Sequence, residues 1–222
     1  MTELRPKYIT FDCYGTLTWF RIGDLTREML AERVPAGSMD AFIRDFAAYR
    51  VDEVLGAWQP YVDVIKNSLE RTCKRHGIPF VEAEGQRLYD AVPTWGPHPD
   101  VPEPLRRVAQ RYPLVILSNA SDNQIQHNVR LLGAPFHAVF TAEQARSYKP
   151  RMRGFEYMMD QLGARPEELL HVSASLRYDL MTAKDLGIRD KVFVNRNYEP
   201  GNPAYEYHEV TGIDGLARLL GV

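Results

Sequence analysis

Four groups of polar residues in this sequence stand where a short apolar run ends, and together they have the makings of nucleophilic chemistry. Asp12 closes the run Tyr8 to Phe11, and Ser118-Asn119 close Leu114 to Leu117. Lys149 stands in the loop Tyr148-Lys149-Pro150, and Ser173, Ser175 and Asp179 follow Leu169 to Val172. A carboxylate can act as a nucleophile and form a covalent intermediate. The neighbours of Asp12, namely Cys13, Tyr14 and Gly15, can turn backbone N–H groups toward one point as an anion-binding nest. That arrangement suits a substrate that is itself negative. Each group also has a bland use. Asp12 can cap a turn, Ser-Asn can open a helix, Lys149 can be an exposed loop lysine, and Asp179 can cap the helix after it. The placement of all four at strand ends is what points to a site.

The elements that must position them follow from patterning. Tyr8 to Phe11 is β-branched or aromatic and reads as a buried strand, broken soon after by Gly15. From residue 20 to residue 95 the pattern is helical, with no convincing strand. Asp24 is a candidate cap for a helix carrying Leu25, Met29 and Leu30, and Ser38 for one carrying Phe42, Ile43, Phe46 and Val54. Pro60 opens a third helix, where Tyr61, Ile65, Leu69 and Cys73 recur every four residues. A short one runs from Glu82 to Val92, and P-T-W-G-P-H-P is a rigid connector.

After the connector, strands and helices alternate. Helices are predicted at 102–111, 122–132, 155–162, 180–186 and 213–220, and strands at 114–117, 138–141, 169–172 and 192–194. The segment 198–208, with three tyrosines, reads as a loop. This alternation predicts an α/β fold with a doubly wound, Rossmann-like parallel sheet. Residues 1–19 and 96–222 would form the core, and 20–95 an inserted helical domain.

Composition narrows the class. The chain has 222 residues, 45% apolar and 25% charged, enough for a core without staples, and a net charge of −2. That balance gives no reason to expect nucleic acid or an anionic membrane as partner. The N-terminus lacks an apolar signal region, and no apolar run approaches the roughly 18 residues of a membrane span. Two cysteines, Cys13 and Cys73, fit a reducing compartment, so a cytoplasmic location is expected. The six histidines have no metal-ligand spacing, so no zinc site is expected, and His171 reads as a strand-end residue.

The motifs Phe11-Asp12-Cys13-Tyr14-Gly15-Thr16, Leu117-Ser118-Asn119, Tyr148-Lys149-Pro150 and His171 through Asp179 resemble those of the haloacid dehalogenase superfamily. The likeness covers nearly the whole chain: core, helical cap after the first strand, then core again. It implies that Asp12 is the nucleophile, that Ser118 and Asn119 bind the substrate anion, and that Lys149 keeps Asp12 ionised. Most members are magnesium phosphatases. They carry an acid two residues after the nucleophile and an aspartate metal ligand in the fourth motif. This chain has Tyr14 and Ala174 there, which makes a poor magnesium site, since Mg²⁺ is held by hard oxygens in an octahedron.

The pattern is similar instead to the type II, L-2-haloacid dehalogenase branch, with its D-x-Y-G-T and serine-rich fourth motif. The implied reaction needs no metal and no cofactor. Asp12 displaces halide from a small 2-halocarboxylate, and water hydrolyses the aspartyl ester to a 2-hydroxy acid. Cys13, Tyr14 and Thr16 would line the substrate. Asp179, with Ser173 and Ser175, would orient or deprotonate the water, or Asp179 would simply pair with Lys149. Arg50 would receive the halide from the cap, with Arg44 and Arg21 as alternatives. The branch commonly forms homodimers, and the resemblance extends that expectation here.

The departures are Ser175 where the branch has asparagine, one extra residue before Asp179, and Phe155 where it has tyrosine. They leave the nucleophile intact and open the substrate to other α-substituted carboxylates, including strained rings. The rival readings are a magnesium-dependent phosphatase and a binding protein on the same scaffold.

Overall fold

The computed structural model of the chain describes residues 4–222. It comprises two compact units, Phe20–Trp95 and the remainder, which is the chain up to Trp19 together with Gly96–Val222.

The first unit is helical: α1 (Ile22–Met29), α2 (Ala36–Leu55), α3 (Tyr61–His76) and α4 (Glu82–Ala91). α2 buries Met39, Phe42, Phe46, Val51 and Val54, and α3 buries Ile65, Leu69 and Cys73 of the stripe read from the sequence. Ser68 and Thr72 share that buried face. Their hydroxyls donate back to the carbonyls of Val64 and Ser68, each at 2.6 Å, so no polar group is orphaned there. Gly77, at φ +68°, closes α3 in the left-handed conformation, and Ile78 N–H donates to Cys73 O at 3.0 Å. Two expected caps move. Arg21 and Pro35 hold the cap positions of α1 and α2, so Asp24 and Ser38 fall inside the helices. Asp24 still suits the first turn, where the helix dipole favours an anion.

The second unit is built on a parallel sheet of β1 (Tyr8–Phe11), β2 (Leu114–Ser118), β3 (Ala138–Thr141), β4 (Leu169–Ser173), β5 (Asp190–Val194) and β6 (His208–Val210). The order is β3-β2-β1-β4-β5-β6, a doubly wound, Rossmann-like arrangement. Its helices are α5 (Pro102–Ala109), α6 (Asp122–Leu131), α7 (Ala142–Ala145), α8 (Met152–Leu162), α9 (Met181–Asp185) and α10 (Ile213–Leu219). Every residue of β2 and β4 is buried, as expected of parallel strands covered on both faces. Ile9 and Phe11 pack with Leu105, Val108 and Leu216 in one core, while Val115 and Leu117 pack with Phe155 and Met158 in another.

Register decides where the site falls. Phe11 lies opposite Ile116 on β2 and Val172 on β4. One residue further on, Asp12 comes level with Leu117 and Ser173. The strand order reverses between β1 and β4, and open α/β sheets hold their ligands beyond the strand ends at such a reversal.

Three elements differ from the sequence reading. α7 forms where a loop was expected, opened by a reciprocal capping box between Thr141 and Gln144. The helix expected from Leu180 starts earlier, as a single π-turn over Leu176–Leu180 capped by Ser175. Segment 198–208 is not wholly loop. It contains a 3₁₀ turn at Pro203–Tyr205, and β6 begins at its last residue. β6 is short, lies at the sheet edge and carries polar residues, so it has little apolar alternation to read.

Candidate active site

The loop after β1 folds tightly around Asp12. The Asp12 N–H donates to Val172 O at 3.1 Å, which carries the strand pairing one residue past β1. Its carboxylate is nearly buried. Oδ2 accepts from Thr16 Oγ1 at 2.7 Å, and Oδ1 accepts from Lys149 Nζ at 2.8 Å. Thr16 Oγ1 in turn accepts from Ala174 N at 2.8 Å, so the loops after β1 and β4 are joined at the nucleophile. Gly15 takes φ +88°, and its N–H donates to Thr18 O at 2.7 Å. That N–H is therefore spent within the loop and is not part of an anion nest, which corrects the sequence reading. Cys13 points inward, buried, with Sγ 3.8 Å from Thr18 Oγ1. Burial, reinforced by the Asp12 charge, pushes its thiol up to about 12. Its side chain is part of the core. The Tyr14 hydroxyl donates to Asn128 Oδ1 on α6 at 2.7 Å.

Lys149 is the hub. Its ammonium, 2% exposed, donates to Asp12 Oδ1, to Asp179 Oδ1 at 2.7 Å and to Leu117 O at 2.9 Å, which uses all of its hydrogens. Asn119 braces the lysine rather than standing apart from it. Its amide donates to Lys149 O at 2.9 Å and accepts from Lys149 N at 2.7 Å. Ser118 lies beside Asn119, and its Oγ is buried with no hydrogen-bond partner. Of the two residues expected to bind an anion, Ser118 thus keeps an uncommitted hydroxyl.

Asp179 sits on the π-turn, 1% exposed. Oδ1 accepts from Lys149 and from His171 Nε2 at 3.0 Å, and Oδ2 accepts from Ser173 Oγ at 3.0 Å. Ser173 Oγ also accepts from Ser175 N at 2.9 Å, and Ser175 Oγ caps the turn by accepting from Tyr178 N at 3.1 Å. The geometry makes Asp179 the second partner of Lys149. Ser173 is bonded to Asp179, and Ser175 caps the turn that carries it.

Burial raises the Asp12 carboxyl, and the Asp179 charge adds to that. Lys149 and Thr16 oppose the rise, and the net lies above the ordinary carboxylate range. Burial would raise Asp179 too, but Lys149 and His171 outweigh it and hold that carboxyl below the range. Burial would lower Lys149, and the two carboxylates more than offset this. Two carboxylates share one ammonium, and the better-bonded Asp179 is the stronger acid.

Magnesium does not fit this donor set. Ala174 offers no oxygen on its side chain, Asp179 is committed to Lys149, and an ammonium lies 2.8 Å from Asp12. Among the described residues no group of three or more His, Cys, Asp or Glu is placed to hold a metal.

Two residues were missed by sequence reading. His171 is not at a strand end. It is in the middle of β4, buried, with Nε2 on Asp179 and Nδ1 2.8 Å from Thr10 Oγ1. Arg196, outside every motif, donates to Thr16 O at 3.0 Å and to Asp100 at 2.7 Å, so it holds the nucleophile loop. Arg50 lies in the helical unit, with its guanidinium 5.2 Å from the Phe20 ring and 4.9 Å from the Phe46 ring.

Residues 6–187 match the model of the haloacid dehalogenase-like hydrolase family, and the chain belongs to that family. The (S)-2-haloacid dehalogenase 4A of Burkholderia cepacia is 30% identical over 141 residues, which covers 60% of this chain and 59% of that one. Haloacetate dehalogenase H-2 of a Moraxella species is 28% identical over 189 residues, 81% of each chain. A dehalogenase crystallised as an intermediate complex shares the fold over the full length of both chains, with a TM-score of 0.83 at 22% identity. Among the described residues no helix is long and apolar enough to cross a membrane.

Proposed function

We propose that this hydrolase displaces halide from a short 2-haloalkanoic acid, without a metal, through a covalent ester at Asp12. The observation that supports this most is the Asp12 carboxylate held between Thr16 and Lys149, with its neighbour Asp179 already committed. The names of the relatives supply the substrate class. In this reading Phe20–Trp95 is the cap and the sheet unit is the core.

In the first step an Asp12 oxygen attacks the α-carbon. The carbon–halogen bond breaks and the halide leaves with its electron pair. It needs no proton, so tyrosine at position 14 is compatible with the chemistry. A carboxylate is a weak nucleophile when solvated, and near-complete burial removes that handicap. The Ser118 hydroxyl donates to the substrate carboxylate. In the second step water attacks the ester carbonyl. Lys149, still bonded to an Asp12 oxygen, stabilises the negative charge that develops there. The 2-hydroxy acid leaves, Asp12 is a carboxylate again, and one proton goes to solvent. Asp179 keeps Lys149 charged and in place throughout. The two thiols, both free and buried, suit a reducing compartment such as the cytoplasm.

The test is halide release from L-2-chloropropionate with EDTA present, beside Asp12→Asn and a magnesium-supplemented phosphate ester. Metal-free halide release that falls about a thousandfold or more in the variant is the expected result. Phosphate release that depends on magnesium, with no halide, would sink the reading.

A further inference from the structure

We infer that His171, anchored by Thr10, is a positioning residue for this site. Through Nε2 it fixes the Asp179 carboxylate, and so sets how Lys149 is divided between Asp179 and the nucleophile.

The chain of contacts is continuous and buried. Thr10 Oγ1 lies 2.8 Å from His171 Nδ1, and His171 Nε2 lies 3.0 Å from Asp179 Oδ1. Asp179 Oδ1 lies 2.7 Å from Lys149 Nζ, which is 2.8 Å from Asp12 Oδ1. Thr10, His171 and Asp179 are at most 1% exposed, so water does not substitute for any link. An ionised carboxylate only accepts, so Nε2 must carry the hydrogen that bridges to Asp179. In the neutral ring Nδ1 is then an acceptor, and Thr10 has a hydroxyl proton to give it. The alternative acceptor for that proton, Leu170 O, is farther away at 3.3 Å. Thr10 therefore complements the tautomer that Asp179 requires. Phe155 from α8 packs edge-on against the ring at 5.0 Å and holds its plane.

The same arrangement orients ligating histidines elsewhere, where the group on the far nitrogen fixes ring and tautomer. Here the beneficiary is a carboxylate. Asp179 and Asp12 compete for one ammonium. A donor on Asp179 that is not Lys149 lets Asp179 stay ionised without monopolising the lysine. The charged and titratable groups facing this chain are Asp12, Lys149 and Asp179, with Cys13 beside Asp12. The Cys13 thiol, pushed up to about 12, stays protonated through neutral pH.

His171→Phe keeps the ring and removes the donor, His171→Gln keeps a donor, and Thr10→Val removes the anchor. The first readout is carbon-13 titration of the aspartate carboxyls in the whole protein, which needs no turnover. His171→Phe is expected to move the Asp179 titration up by about one pH unit. In its kinetic part the inference rests on the function proposed above. There kcat falls about tenfold with KM little changed, as for the loss of one hydrogen bond to a charged group. The acid limb of kcat/KM moves to higher pH, because the state with both carboxylates ionised has become harder to reach.

His171→Gln restores both readouts in large part, and Thr10→Val shifts them in the same direction by less. A folded His171→Phe with the wild-type titration overturns the inference, as does a glutamine variant no better than the phenylalanine one. If His171→Phe does not fold, Thr10→Val decides, and an unchanged Asp179 titration there overturns it. A wild-type protein without halide release removes the proposed reaction and leaves the titration to judge His171 alone.

Discussion

Lys149 and Arg71 each sit between two carboxylates, and their surroundings give them opposite weight. In the sheet unit, Lys149 bridges Asp12 and Asp179 at 2.8 and 2.7 Å with its side chain 2% exposed. In the helical unit, Arg71 on α3 bridges Asp52 and Glu53 at 2.7 and 2.6 Å, over the Tyr49 ring, with its side chain 40% exposed. Two unit charges about 4 Å apart interact by roughly 1 kcal/mol in water and roughly 4 kcal/mol at a protein site's effective dielectric. The exposed trio is therefore screened by the water around it. The buried trio forces its two carboxylates apart, Asp12 upward and Asp179 downward. Carboxylates with separated acidities are the raw material of a catalytic site.

The sharpest way to break this comparison is to remove each cation. Lys149→Met leaves two carboxylates buried without their counter-ion and is expected to destabilise the fold by about 3–5 kcal/mol in urea unfolding at neutral pH. The loss should shrink as the pH is lowered and the carboxylates protonate. Equal losses for Lys149→Met and an Arg71 variant would show that burial makes no difference.

Acidification gives the next largest effect. Asp12 is raised, so its reactive form is lost as pH falls through a value above the ordinary carboxylate range. Asp179 is lowered, so the stability it contributes is present above its unfolded-state pKa and is lost only as pH falls through its folded pKa, below that range. Activity should therefore disappear, reversibly, in a protein that is still folded. Parallel kcat/KM and circular dichroism titrations check this, and coincident midpoints would contradict the separation of the two acids. The smallest effect is Arg71→Ala, at most about 1 kcal/mol and smaller still in high salt. Chemical unfolding at two ionic strengths measures it.

Much of the site was legible. Asp12 and Ser118-Asn119 stand at strand ends in the sequence because parallel strands end with abrupt changes of hydropathy, while Lys149 and Asp179 stand further on, past a short helix and within a turn. Lys149 as partner of Asp12 came from the family resemblance, and the structure brings the two together. What each partner does was less legible. Asn119 was expected on the substrate, and the structure bonds its amide to the Lys149 backbone. Gly15 was expected in an anion nest, but its N–H is used by Thr18. Such choices depend on which of several nearby acceptors wins, and no one-dimensional pattern records that. The roles of His171 and Thr10 were not legible for a related reason. A buried strand shows its polar residues as interruptions, with nothing in the spacing to say whether they meet.

The sequence by itself determined the class of fold and the positions of its chemistry-bearing residues. Periodicity, glycine and proline punctuation, and the ends of apolar runs are local properties, and the parallel α/β order follows from them. Only the tertiary structure decided that one lysine would serve two aspartates, and that His171 would back the second of them. It also decided that Arg196, distant in sequence, would hold the nucleophile loop. The reason is physical. A pKa, like the hold of one buried ion on another, depends on desolvation and on distances of a few ångströms between residues far apart in the chain, and packing alone sets those.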